Sequence, residues 1–355
     1  GSLGRCHYIK NKFIASDLCF ILTPKDSKKY PVDLEFYHQI FRSIKSDLVQ
    51  KTATGTSKLS INRTNFGNYI IPYFEIKHQK AFKKILLSAN EKKDKLLSCS
   101  NDQIKLVEDL KKQIFQDAIS GKLTVDWRKK NLDIEPVNRL LQKITTEKEK
   151  LIAEKKIKIG KLQEAERQED LIFQIPKSWE WCNLDSICKN ITDGTHQTPH
   201  YTKLGKPFLS AQHVKPFKFI PDENKYVSEE DYLEFTKNKK PEVGDLLVTR
   251  VGAIGEAAVI DQDIEFAFYV SIGLIQPFKK YINPNFIALV FNSDYGNKYS
   301  KSNVSSKGSS AGNFNLGRIR SFLIPLPPKD EQKEIVAIVK KLMEKVSKLE
   351  EKIKK

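Results

Sequence analysis

Four polar loops in the second half of the 355-residue chain carry side chains that read base edges or phosphates. The first is Thr192-Asp193-Gly194-Thr195-His196-Gln197-Thr198, where Asp193-Gly194 signals a tight turn and Thr195, His196, Gln197 and Thr198 supply donors and acceptors beside it. Ser210-Ala211-Gln212-His213 is the second. In the third, Thr249-Arg250-Val251-Gly252-Ala253-Ile254-Gly255, an apolar run ends in an arginine followed by glycines that permit close backbone approach. Arg250 is the leading single candidate for a DNA contact. The fourth runs from Lys307 through Ser309, Ser310 and Asn313 to Asn315, whose small residues suit phosphate contact through backbone N–H groups. Polar loops of this composition equally form plain surface turns, His196 and His213 equally suit buried structural positions, and Thr192-Asp193 equally caps a turn.

Intrinsic catalysis is not expected. An adenine methyltransferase needs an Asn/Asp-Pro-Pro-aromatic loop, and Asn283-Pro284-Asn285-Phe286 has the wrong third residue. A magnesium nuclease needs two separated acidic elements, which Pro221-Asp222-Glu223-Asn224-Lys225 squeezes into one turn. Neither a phosphate-binding glycine loop nor a metal-spaced His/Cys cluster occurs, so no cofactor and no metal are expected.

The elements that must position these loops emerge from internal similarity at an offset of 250–253 residues. Residues 16–24 lie over 269–277, Phe36 to Ser43 over Phe286 to Ser293, Asn62 over Asn315, Ile71-Pro72 over Ile324-Pro325, and Gln79-Lys80 over Gln332-Lys333. The first copy of the loop set is then Arg5 with Thr56, Ser57, Lys58 and Asn62. The first copy opens where the second has reached Gly252, so about half of its module is expected to be absent. Because residue 1 is Gly, a processed or excerpted chain is expected.

A helix is predicted from about Gln79 to Ser120, with apolar residues at threes and fours and Gly121 as its stop. At ~1.5 Å per residue this makes a rod of about 60 Å. Its stripe, including Phe82, Ile85, Leu86, Leu110 and Ile114, calls for a long partner, and Ile338, Leu342, Val346 and Leu349 on a second predicted helix repeat the spacing. These residues are the candidate partner-binding set, and an antiparallel coiled coil is expected. Apolar β-type runs (245–250, 255–260, 271–276, 321–325) alternate with helical stretches (228–237, 285–292), which reads as α+β. The expected organisation is half a module over 1–76, a long helix over 77–121, a connector with one helix at 136–157 over 122–174, a whole module over 175–328 and a second long helix over 329–355.

Net charge is +17, favouring a polyanionic partner, although residues 1–76 and 77–170 hold +5 and +7 of it. Five cysteines without paired spacing fit a reducing compartment. No apolar run spans a membrane, so neither a membrane association nor a signal segment is expected.

Ile175-Pro176 through Trp179 and Trp181 to Asp193-Gly194-Thr195-His196 resembles the opening of a target-recognition domain in type I restriction-modification specificity subunits. Gly244 to Gly255 resembles that domain's middle, and Ile324-Pro325-Leu326-Pro327-Pro328 with Glu331-Gln332 its exit into a helix. Ile114 to Leu123 resembles the end of the family's central helix. Nearly the whole chain is covered; the missing part of the first module is the departure. The resemblance implies globular α/β recognition modules joined by long antiparallel coiled-coil helices. It also implies double-stranded DNA read as a split target in the cytoplasm, two docked methyltransferase subunits and, through them, a restriction subunit. Two alternatives stay open: the recognition region of a longer single-chain restriction-modification enzyme, and a coiled-coil adaptor without DNA contact.

Overall fold

The computed structural model describes residues 3–55, 59–158, 160–162, 173–222, 225–237, 239–305 and 312–354. It divides into two compact units, residues 1–103 and 104–355.

In the first unit, α1 (Leu34–Ser43) starts at Asp33, whose carboxylate accepts the Glu35 and Phe36 amides. Helix α1 buries Phe36 and Tyr37, and α2 (Lys45–Thr52) buries Leu48. A two-residue hairpin, β1 (Ala53–Thr54) with β2 (Ser60–Ile61), leads to α3 (Arg63–Gly67), capped by Asn62. Then α4 begins, running 44 residues from Ile76 to Ile119 into the second unit. Residues 16–24, which lie over 269–277 in the repeat, do not form a strand as 272–277 do. Among the described residues of 3–30 there is no strand, and Leu18 stands 95% exposed. An apolar run becomes a strand only when a neighbour supplies the ladder, and among the described residues none pairs with 16–24.

The second unit holds α5 (Val125–Lys130), α6 (Val137–Ala153), and strands β3 (Glu180–Asn183), β4 (Cys188–Asp193), β5 (Lys206–Leu209), β6 (Val214–Lys215), β7 (Lys218–Phe219) and β8 (Lys225–Val227). After α7 (Glu229–Thr236) come β9 (Leu246–Thr249), β10 (Ala257–Val259), β11 (Ala267–Phe268) and β12 (Ile272–Pro277). Helices α8 (Pro284–Asn292) and α9 (Asp294–Ser302), strands β13 (Val304–Ser305) and β14 (Asn313–Phe314), α10 (Leu316–Ser321), β15 (Leu323–Leu326) and α11 (Lys329–Lys354) complete it. The mixed helix and sheet architecture agrees with the α+β expectation.

An antiparallel sheet in the order β10-β9-β12-β4 lies at its centre, buried on both faces. Leu246, Val248 and Ile275 point into a core shared with α8 and α10, while Leu247, Ile272 and Leu274 point into one built on Phe266 and Phe268. The period-2 alternation of a strand feeds two cores at once, which is why these runs read as continuously apolar.

Repeat and structure agree at a buried amide. Gln79 Oε1 accepts the amide of Asp33, the cap of α1, at 2.7 Å, and its Nε2 donates to Phe74 O at 2.6 Å. Gln332 does the same at the offset positions: Oε1 takes the amide of Asn283, the cap of α8, at 2.8 Å, and Nε2 donates to Pro327 O at 3.0 Å.

The helix pairing is shorter than expected. Lys111 bonds Glu350 at 2.6 Å and Thr124 bonds Glu331 at 2.7 Å, so the last turns of α4 run antiparallel to α11. Val107, Ile114 and Ala118 are buried there, with Ile335 and Val346 opposite. Ile338 and Leu342 are half-buried, whereas Leu110 and Leu349 face outward. In the first unit Phe82 and Ile85 are exposed and Leu86 is half-buried. The connector helix stops at Ala153 instead of 157. Gly121 ends α4 as expected, in the left-handed region at φ 74°, where only hydrogen fits beside Pro176.

Candidate nucleic-acid interface

The central sheet gathers at one end the first three polar loops and the described end of the fourth, Asn313 to Asn315. Strand β4 ends at Asp193, which pairs with Gly273 near the start of β12, and Thr249 at the end of β9 pairs with Ile272. The loop after β4 is held by Thr195, whose amide donates to Phe268 O and whose carbonyl accepts from Val270, both at 3.0 Å. Gly194 is required there, because a Cβ would lie 2.1 Å from Phe268 O. The loop after β5 is anchored by Tyr269 N donating to Leu209 O and by Ala211 N donating to the Ser271 hydroxyl.

Arg250 sits at the hub of this end, only 4% exposed. Its Nη1 donates to Asp193 Oδ2 and, at 2.9 Å, to Val270 O; its Nε donates to Phe314 O at 3.0 Å. The backbone adds Arg250 N to Ser271 O and Phe314 N to Arg250 O. One guanidinium thus fastens the loops that follow β4, β9 and β11 and the segment that precedes α10. Burial pulls its pKa down, and the Asp193 carboxylate opposes that. The expected DNA-touching arginine is instead committed inside the protein: a charge read from sequence as a solvated tip finds partners 57 and 64 residues away.

The remaining candidates separate by exposure. His196 is 73% exposed in its side chain, 3.3 Å from Asp193 Oδ2. Gln197, Thr198 and Gln212 are exposed, and the Gln197 amide donates to Thr195 Oγ1. Thr195 is buried and Thr192 half-buried. His213 takes the structural alternative, buried with Nδ1 accepting from the Ser210 amide at 2.9 Å, and burial lowers its pKa. Asn315 caps α10 by accepting Gly317 N, as Asn62 caps α3, and Asn313 lies half-buried in β14. Arg5 is exposed. Thr56, Ser57, Lys58, Lys307, Ser309 and Ser310 lie outside the described residues.

A basic and aromatic flank went unread in the sequence. Lys225 stands over the Tyr201 ring at 4.3 Å, a cation–π contact on an exposed loop bridged to β8. Lys239 is half-buried, its pKa lowered by burial against the pull of Asp193. Lys206 and Lys240 clamp Glu265 and hold its carboxyl at about 2. The signal was present as Lys237-Asn238-Lys239-Lys240 ahead of Pro241, but the overall near-neutrality of this module masked it. Among the described residues no group of His, Cys, Asp or Glu could hold a metal, and no helix is long and apolar enough to cross a membrane.

Residues 176–355 match the family model for the type I restriction modification DNA specificity domain. The chain belongs to this family. The matched span contains the hub arginine, all four loops and α11. Among specificity subunits, the Escherichia coli type I restriction enzyme EcoEI specificity subunit is 26% identical over 66% of this chain and 40% of its own length. Its EcoAI counterpart from Escherichia coli is 25% identical over 68% of this chain and 41% of its length. The chain thus spans about two fifths of these relatives. A solved structure described as the structural basis of complex assembly and conformational transition of the type I R-M system shares the fold at a TM-score of 0.56. It is 15% identical and covers 90% of this chain and 65% of that one. The resemblance to specificity-domain proteins noted in the sequence is therefore supported independently by family model, relatives and fold.

Proposed function

We propose that this specificity-domain chain is the DNA-reading subunit of a type I restriction-modification complex in the cytoplasm, with no catalytic site or cofactor of its own. One observation carries the reading: three polar loops and the segment from Asn313 to Asn315 meet at one end of a sheet around a buried arginine, leaving His196, Gln197, Thr198 and Gln212 exposed beside a basic flank. Rigidly held short polar side chains discriminate base edges, and the flanking lysines supply phosphate affinity. Loss of Arg250 as a direct contact strengthens this reading, since a reading surface needs its supporting shell fixed.

The module over 175–328 reads one half of a split target, and the first-copy residues Arg5, Thr56, Ser57, Lys58 and Asn62 belong to the reader of the other half. Two methyltransferase subunits dock on the long helices through the outward residues of the stripe, Phe82, Ile85, Leu110 and Leu349, with Leu86, Ile338 and Leu342 partly available. Ile114 and Val346 are spent on the internal pairing. A restriction subunit joins through the methyltransferases.

If α4 sets the number of unread base pairs, removing one heptad (residues 90–96) shortens it by about 10 Å while keeping the stripe in phase. At ~3.4 Å per base pair the gap should contract by about three base pairs. Methylome sequencing of cells carrying the complex reads this directly. An unchanged gap in the deletion variant refutes the ruler.

A further inference from the structure

Strands β6 and β7 are joined by two residues, Pro216 and Phe217, with Lys215 paired to Lys218. Proline at the first turn position excludes the primed hairpin turns, and Phe217 has φ 62°, the left-handed value that a type II turn reserves for glycine. A bulky aromatic there is strained. Its backbone is pinned by Phe217 N donating to Ala257 O at 3.0 Å. The side chain is 44% exposed, so core burial does not explain its retention. What it touches does: the ring meets Phe115 of α4, centroids 5.3 Å apart. The same hairpin begins immediately after Gln212 and His213 of the reading end.

We propose that Phe217 is a positioning residue, a strut that braces the recognition module against the long helix and so fixes how the reading end is presented to DNA. The inference rests on the reading of a split target proposed above. Backbone strain is tolerated because the ring holds a hairpin whose other end is a reading loop.

Three variants in the intact complex test it. F217G removes ring and strain together; F217A removes the ring and keeps the strain; F115L alters the other face of the contact. F217G is expected to melt within about 3 °C of wild type and F217A lower than F217G. Spin labels at exposed Lys112 and Asp261 should show a broader distance distribution in F217G than in wild type without any DNA present. In the methylome, F217G and F115L should retain the same half-site bases, while methylation at gaps one base pair longer or shorter rises about tenfold over wild type. An unchanged distance distribution, a strict gap in F217G, or F217G melting below F217A overturns the strut. A wild-type complex that methylates no split target instead overturns the proposed function, and the label distances still decide the strut.

Discussion

Replacing Arg250 by alanine should lower the melting temperature of the specificity subunit by about 6–20 °C and abolish discrimination between cognate and mismatched DNA. The size follows from what is left behind. Asp193 is only 14% exposed in its side chain, and without the guanidinium it keeps His196 at 3.3 Å and the more distant Lys239 as compensating groups. Removing one partner of a buried pair costs about 3–5 kcal/mol, because the other charge stays in place unpaired. A domain of this size shifts by about 2–4 °C per kcal/mol. Two carbonyls, Val270 O and Phe314 O, lose their donor in the same step. R250K is not a rescue: a single ammonium cannot reproduce a planar fork with three separated partners. D193N, which keeps a neutral acceptor, should cost less than R250A. Thermal unfolding paired with binding to cognate and single-mismatch duplexes checks both parts. A variant that melts like wild type and loses only uniform, salt-sensitive affinity would mean Arg250 contacts phosphate instead.

Replacing Glu331 by alanine should cost a similar amount, for a related reason. Glu331 is fully buried in the first turn of α11, where a negative charge suits the helix N-terminus. Its Oε1 accepts from Thr124 Oγ1 and Arg128 Nη1, and its Oε2 accepts from Trp179 Nε1 at 2.9 Å. Arg128 in turn donates through Nη2 to Gly121 O at 2.6 Å, tying the end of α4 to the same knot. E331A removes the acceptor that three donors share. Arg128 Nη1 keeps Thr124 Oγ1 and Thr124 Oγ1 keeps Gly121 O, but the Trp179 indole N–H loses its partner and the Arg128 charge its counter-ion, so the change should destabilise by about 3–5 kcal/mol. E331Q turns one oxygen into an amide facing a donor and should cost about 1–3 kcal/mol. Denaturant unfolding measures both, and an E331A midpoint equal to wild type contradicts the knot. The first copy carries His78 at the equivalent position, exposed.

Which parts of this were readable from sequence follows from the range of the forces involved. Helices α4, α6, α8 and α11 and strands β9, β10, β12 and β15 were legible within a few residues because local periodicity and stop signals such as Gly121 define them. The repeat was legible too, and its deepest trace, Gln79 and Gln332, proved to be two amide clamps on equivalent partners. Arg250 was picked out but given the wrong work, since burial depends on Asp193 and Phe314 arriving from distant chain segments. Residues 16–24 repeat the sequence of a central strand without forming one, because strand formation needs neighbours that a pattern cannot supply. Lys239 and Lys225 were missed because their relation to Asp193 and Tyr201 exists only once the sheet has set its register. Phe217 gives no sequence signal at all; its meaning lies in the sign of one dihedral.

Site-directed photo-crosslinking tests the central claim most directly. A crosslinker at exposed Gln212, in the intact complex on its own methylation target, should label bases of one half-site only. The same group at exposed Lys280, beyond the opposite end of β12, should label none. Crosslinks from Lys280 without any from Gln212 would contradict the placement of the reading surface.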